Sequence, residues 1–228
     1  MKVLALDCST DLLSVALRCD SGFAEVTLDL GLRHAESLTG LIELCLARAS
    51  LEPKDLDLIA CALGPGSFTG LRIGMATAKG MALALGKPWI AVPTLDALAW
   101  GKEHFSGAVV PIVDGKKGRF YSAIYVHGFR VSAWLDLSLA RLLELMDTYP
   151  DVLFTGPDSS FFEEASGTRG GMRIDRAGRN GAALAMCELA KEIFARDGKT
   201  ADDSGPLYLR PSEAEESDAA RKTNESPN

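Results

Sequence analysis

The sequence predicts an α/β protein of two lobes, each running β-β-β-α-β-α, on three observations. Three strand-like segments crowd into the first thirty residues. A glycine-rich turn then opens a helix of small residues, and the same order of elements returns in the second half without visible sequence identity between the copies.

The first lobe is expected over residues 1–105. Its opening strands are KVLALD (2–7), LSVALRC (13–19) and FAEVTLD (23–29), the last two joined by the hairpin signal Asp20-Ser21-Gly22. A helix is predicted from about Ala35 to Ala49, then a buried-type strand at 56–63, then GPGSFTG (64–70) leading into a helix that ends near Leu85. The strand PWIAV (88–92) and a helix from Thr94 to about Glu103 complete the lobe. The second lobe, 106–211, is expected to carry strands at 108–114, 119–127 and 129–137, and a helix capped by Ser138 and running to about Tyr149. A strand at 151–156 and a helix from about Gly181 to Arg196 follow. Residues 212–228 have no periodicity, few apolar side chains and a net charge of −3, and are expected to be a disordered acidic tail.

Composition narrows the function. With 228 residues, 47% of them apolar, the chain is long enough to bury a sizeable core. A net charge of −7 argues against a broad nucleic-acid-coating surface, which needs clustered Lys and Arg. The five cysteines form no CxxC, and the three histidines show no HxxH or HExxH spacing, so neither a disulfide framework nor a close-spaced zinc site is expected. Asp7 interrupts what a signal peptide would need as an apolar core, and no apolar run approaches the ~20 residues that span a bilayer. A soluble, cytoplasmic protein without a cofactor is the expectation.

GPGSFTG is the sharpest local signal. Pro65 fixes φ, Gly64 and Gly66 permit tight angles, and Ser67 is placed to cap the following helix, where free N–H groups can hold an anion. It is neither a Walker A loop nor a dinucleotide fingerprint, and a structural turn with a cap is the preferred reading. An anion or nucleotide cleft, in which Asp7, Ser9, Ser67 and Gly156 would be vestigial contacts, is the alternative.

The two helices of the first lobe carry a different signal. Gly70, Gly74, Ala78 and Ala82 recur every four residues as a smooth ridge, and the rest of that helix is apolar nearly all round. On the preceding helix Leu38, Leu41, Ile42, Cys45 and Ala49 form one stripe, while Gly40, Leu44 and Ala47 make a second small, apolar strip. Surplus apolar surface on neighbouring helices points to a partner interface, expected to use Leu38, Leu41, Leu44, Cys45, Gly70, Leu71, Gly74, Met75 and Ala78. The alternative is that the second half of the chain covers them.

Several segments, taken in order, resemble the bacterial TsaB (YeaZ) family. They are Asp7-Cys8-Ser9-Thr10, Arg33-His34-Ala35-Glu36, GPGSFTGLRIG at 64–74, Gly86-Lys87-Pro88, the stretch from Asp114 to Tyr121, and Leu207-Tyr208-Leu209-Arg210. The resemblance covers nearly the whole globular chain and implies the actin/Hsp70/sugar-kinase-like fold. It further implies a role in forming N6-threonylcarbamoyladenosine at position 37 of ANN-decoding tRNAs. The catalytic relative, TsaD, carries His-x-Glu-Gly-His after the corresponding strand. Here Thr94 and Leu98 stand where its two metal-binding histidines would be, and neither replaces imidazole as a ligand.

The resemblance therefore implies a non-catalytic, metal-free subunit that pairs with a TsaD-like catalytic partner, or with a second copy of itself when alone. A TsaE-like ATPase and tRNA would be met only through the assembled machinery. The family's loop between the second-lobe strands is altered here to Gly115-Lys116-Lys117-Gly118, and the paired glycines of nucleotide-binding relatives are reduced to Gly156-Pro157. The rival functions are an active phosphotransferase or ATPase, with Asp7 and Ser9 on the phosphates, and a metallopeptidase of the glycoprotease type.

Overall fold

In a computed structural model of the chain, residues 1–29, 31, 33–167 and 170–211 are described. The expected acidic tail, 212–228, lies outside the described residues.

Apolar side chains that alternate over β1 (Val3–Asp7) and β2 (Leu13–Cys19) fill both faces of a sheet, so β1 is buried at every position. β3 (Gly22–Leu28) follows through a tight turn with Gly22 at φ +147°. β4 (Leu58–Gly64) and β5 (Trp89–Pro93) run parallel to β1, so the five strands stand in the order β3-β2-β1-β4-β5. One face is covered by α1 (His34–Arg48) and α2 (Phe68–Leu85), whose leucines meet Leu4, Leu6, Val15, Leu17 and Ile59. α3 (Thr94–Ala99) lies on the other face. It ends well before the expected Glu103, because Trp100 is extended and Gly101 adopts φ +77°.

The second lobe repeats the order. β6 (Ala108–Asp114) sits centrally, with β7 (Arg119–Ser122), β8 (Tyr125–Val126), β9 (Phe129–Arg130) and β10 (Leu135–Ser138) following. The two long strands expected over 119–137 are therefore four short ones. His127 (φ +49°) and Gly128 (φ +81°) turn the chain, and the Ile124 N–H is taken by the Ser132 hydroxyl at 2.9 Å rather than by a ladder. After α4 (Leu139–Met146), capped by Ser138 as expected, come β11 (Val152–Thr155), α5 (Ser159–Ser166) and β12 (Met172–Ile174). The main path is β10-β7-β6-β11-β12, the same 3-2-1-4-5 arrangement as the first sheet. α5 and β12, which had no clear pattern in the sequence, complete the repeat.

α6 (Ala183–Asp197) binds the halves together. The expected division at 105/106 assigns it to the second lobe, yet it packs on β1, β2, β4 and β5 of the first sheet, opposite α1 and α2. Gly181 comes so close that a Cβ would lie 2.0 Å from Ser14 Oγ. The helix has no side-chain cap of its own. Instead the Leu184 N–H donates to Glu25 Oε1 at 3.1 Å, and the buried Asp7 carboxylate faces the Ala182 amide, which favours its charged form. Two carboxylates from the first sheet thus meet the free amides and the positive end of the helix dipole. Burial pushes both carboxyls above the usual carboxylate range, so each sits in its place at an electrostatic cost.

Glu25→Ala removes one of these caps and leaves the Leu184 amide without its acceptor. Urea unfolding should show a loss of about 1–2 kcal/mol, and an unchanged midpoint would refute the capping role.

Candidate functional site

Two features stand out from the fold: a cleft between the lobes and the outer face of the helix pair. The cleft encloses about 650 Å³ and is lined by the β1–β2 loop, the loop opening α2, the β6–β7 hairpin and the chain at 207–211. At its floor Asp7 Oδ1 accepts from the Ser9 N–H (2.9 Å) and the Ser9 hydroxyl (2.6 Å), a compact Asx turn. Ser9 O accepts in turn from the Ser67 N–H at 2.7 Å. The glycines of GPGSFTG answer to this contact. A Cβ on Gly66 would lie 2.1 Å from Ser9 O, and one on Gly70 would lie 2.0 Å from Cys8 O. The loop is glycine-rich because backbone crosses backbone there. Ser67 is the N-cap of α2, its Oγ accepting from the Gly70 N–H at 3.2 Å.

The four expected cleft residues separate accordingly. Ser9 and Ser67 line the cavity, whereas Asp7 and Gly156 are not among its walls. Asp7 is buried beneath the floor and spent on Ser9 and on the start of α6. Gly156, at φ +99°, is packed so that a Cβ would lie 2.8 Å from Ile112 O, and Gly178 of the turn Arg176–Arg179 presses on its amide from the other side. No open glycine cradle exists at that strand end.

The cleft's charges pair with each other. Lys116 Nζ lies 3.1 Å from Asp114 and 3.6 Å from Asp11, and the Asp158 carboxylate accepts from the Asp114 N–H at 2.7 Å. Burial raises the Asp158 carboxyl. His34 is buried, with Nε2 3.4 Å from Asp11 O. Among the described residues no three His, Cys, Asp or Glu side chains converge as metal ligands. Thr94 and Leu98 are buried in the core between the lobes.

The helix pair requires a correction. Leu38, Leu41, Cys45, Met75 and Ala78 are buried in this chain's own core against the first sheet, and Leu71 is buried in the core on the sheet's other side. Gly70 and Gly74 face Cys8, whose Sγ would be 3.3 Å from a Cβ on Gly74. The smooth ridge lets α2 lie close over the end of β1, and these eight residues are unavailable to a partner. Of the nine expected interface residues only Leu44 is exposed, at 38%.

The second strip of α1 does face outward, since Gly40, Leu44 and Ala47 are all exposed. On α2 the exposed small or apolar residues are Ala76, Gly80, Leu83 and Ala84, with Ile73 half-buried and Leu83 at 86% exposure. Sequence reasoning missed these α2 positions although 73, 76, 80 and 83 follow helical spacing as well as 70, 74 and 78 do. Nothing lies within 4 Å of a Cβ built on Gly40 or Gly80. Glu36, Glu43, Arg48 and Arg72 surround this small apolar face with charge.

A family model described as TsaD, tRNA N6-adenosine threonylcarbamoyltransferase, matches residues 30–165. The chain is 35% identical over 225 residues to the tRNA threonylcarbamoyladenosine biosynthesis protein TsaB of Bacillus subtilis, covering 94% of this chain and 96% of that protein. It is 31% identical over 224 residues to the Escherichia coli protein of the same description, covering 92% and 95%. Among solved structures, YeaZ from Pseudomonas aeruginosa superposes with a TM-score of 0.75 at 26% identity, covering 91% of this chain and 99% of that one. A ROK family glucokinase from Streptomyces griseus superposes at 0.51 with 10% identity, covering 84% and 100%, a likeness of fold alone. The architecture is that of the actin/Hsp70/sugar-kinase group.

The opposite faces of α2 yield a prediction of opposite sign. Gly70→Ala drives a Cβ into a backbone carbonyl and should cost about 2 kcal/mol or more. Gly80→Ala, with open space outside an interior helical turn, should gain about 0.5–1 kcal/mol. Urea midpoints that move in the same direction would overturn this assignment of faces.

Proposed function

This chain belongs to the TsaB (YeaZ) family of tRNA threonylcarbamoyladenosine biosynthesis proteins, and we propose that within this pathway it is a non-catalytic subunit that docks a TsaD-like catalytic partner. The observation that carries this reading is the outer face of α1 and α2. Gly40, Leu44, Ala47, Ala76, Gly80 and Leu83 form a small-residue apolar surface that the described residues leave uncovered. Burying it against two similar helices releases water from apolar area, and its glycines allow close backbone approach. The charged surround of Glu36, Glu43 and Arg72 suits a polar rim. A second copy of the chain would use the same face when the partner is absent.

The non-catalytic role is supported from two sides. Thr94 and Leu98 occupy the positions where a TsaD-like protein carries histidines, and neither can ligate a metal strongly. The cleft hydroxyl that meets a carboxylate, Ser9, is buried and tied with Asp7 into the Asx turn, and the cationic Lys116 is already paired with Asp11 and Asp114. A net charge of −7 favours contact with tRNA through the complex rather than by this chain alone. The ATP-consuming step would fall to a TsaE-like ATPase of the same machinery, in the cytoplasm. No described helix is long and apolar enough to cross a membrane.

The docking test places charge on the outer face. Gly80→Glu and Leu83→Asp should abolish co-elution with the organism's TsaD-like protein, and with it modification activity of the reconstituted machinery, while leaving the melting temperature of the isolated chain nearly unchanged. Co-elution that survives both substitutions would defeat the reading. Gly74 is unsuitable for such a test, because a side chain there is driven into Cys8. The isolated chain titrated calorimetrically with Mg-ATP should give no saturable heat. A stoichiometric binding curve would instead favour the phosphotransferase reading.

A further inference from the structure

Beyond α6 the chain runs over 199–211 as an extended strap that no part of the proposed docking role requires. It is fastened to the first lobe at four points. The Thr200 N–H donates to Trp89 O at 3.0 Å, and its hydroxyl accepts from the Ala91 N–H at 2.9 Å, on the exposed side of β5. Lys79 Nζ reaches from α2 to two strap carbonyls, Asp202 O at 2.9 Å and Ser204 O at 2.5 Å. The Leu207 N–H donates to Leu63 O at 2.8 Å, with the strap so close that a Cβ on Gly64 would lie 2.4 Å from Leu207 O. Tyr208 stacks on Phe68 at 4.6 Å between centroids, and its hydroxyl accepts from Arg72 Nε at 3.0 Å.

Two residues later the strap crosses the cleft. Arg210 donates to Gly115 O and to the Tyr121 hydroxyl, and its Nε lies 3.2 Å from Asp136, which Arg119 also holds at 2.8 Å. Gly115, Tyr121 and Asp136 belong to the hairpin and strands of the second lobe. Among the described residues, every hydrogen bond from the strap to that lobe comes from Arg210. This guanidinium is only 23% exposed and bonded to a carbonyl, a hydroxyl and a carboxylate, so it is far better placed than an exposed surface pair. The other ion pair across the cleft mouth, Lys116 with Asp11, is more than half exposed on both sides.

The far side of the lobe junction is built differently. There the Tyr125 hydroxyl donates to Asp96 at 2.5 Å, Lys102 pairs with Asp175 at 3.4 Å, and Val92, Leu95 and Val109 share one core. β8, which carries Tyr125, pairs with Ala108 and Val109 at the start of β6, whereas the cleft lies at its other end, Asp114. Six residue steps of strand, ~20 Å, separate the two. The junction is therefore packed and apolar at one end and held by hydrogen bonds over open space at the other.

We propose that residues 199–211 form an interlobe latch, anchored on the first lobe, whose Arg210 grips the second lobe and sets how far the cleft opens about the packed junction. Distances between spin labels test it directly. Cys8, Cys45, Cys61 and Cys187 are buried, so labels at Lys54→Cys, in the turn before β4, and Glu164→Cys on α5 need only Cys19→Ser as background. Adding Arg210→Ala should shift the distance distribution to longer values and broaden it. The Leu207 amide should keep its hydrogen-exchange protection within about threefold, because the strap stays seated on the first lobe. Tyr121→Phe removes one of Arg210's partners from within the second lobe and should produce a smaller shift in the same direction. A distribution unchanged by Arg210→Ala would overturn the latch. So would a change seen only together with loss of Leu207 protection, since Arg210 would then be holding the strap rather than the lobes.

Discussion

The seating of α6 on the first sheet is the constraint on which the remaining architecture depends. The helix arrives from the second half of the chain and buries Ala183, Met186, Cys187 and Ala190 against strands from the first half. The carboxylates at its start, Asp7 and Glu25, are borrowed from β1 and β3, so the first sheet and α6 depend on each other. Because α6 and α3 occupy one face of the first sheet, α1 and α2 must take the other, and β1 is buried on both sides. Burial raises both capping carboxyls, so this arrangement carries an electrostatic cost that the packing of α6 offsets.

The crossing at the end of β1 has a comparable reach. Backbone carbonyls of Cys8 and Ser9 stand where side chains on Gly66 and Gly70 would be. That close approach fixes the inner face of α2, and with it the outer one, since a helix of 18 residues cannot present both stripes to the same sheet. The smallness of Gly70 and Gly74 serves the protein's own core, while the smallness of Ala76 and Gly80 is left facing outward, where the chain gives it no internal use. The outward-facing small-residue surface is thus found by subtraction of the core, which hydrophobicity along the chain cannot do.

Legibility in the sequence differed from element to element for physical reasons. The strands of the first lobe were plain because β-branched and aliphatic residues alternate between clear turns. The segment 119–137 read as two strands because nothing local distinguishes a ladder from the short hairpin in which Ser132 satisfies Ile124. α5 was missed because its polar, eight-residue SSFFEEAS carries too few apolar positions for a period, and it is held by Phe162 against Phe120 and Phe154 from distant strands. Ser67 was recognised as a cap and is one. Asp7 was assigned to a possible phosphate site because a carboxylate at a strand end looks the same whether it meets an anion-bearing ligand or a helix N-terminus 175 residues further along.

By itself the sequence determined the order of elements in the first lobe and its return as far as β11 in the second, the glycine turn with its cap, and the presence of two helices with more apolar surface than one core needs. Those are properties of spacing, and spacing is local. Only the tertiary structure decided which stripe of each helix is inside, that α6 returns to the first sheet, and that the strap ends on Arg210 across the cleft. Each of these depends on where a particular carbonyl or carboxylate stands in space, and side-chain periodicity carries no record of that position.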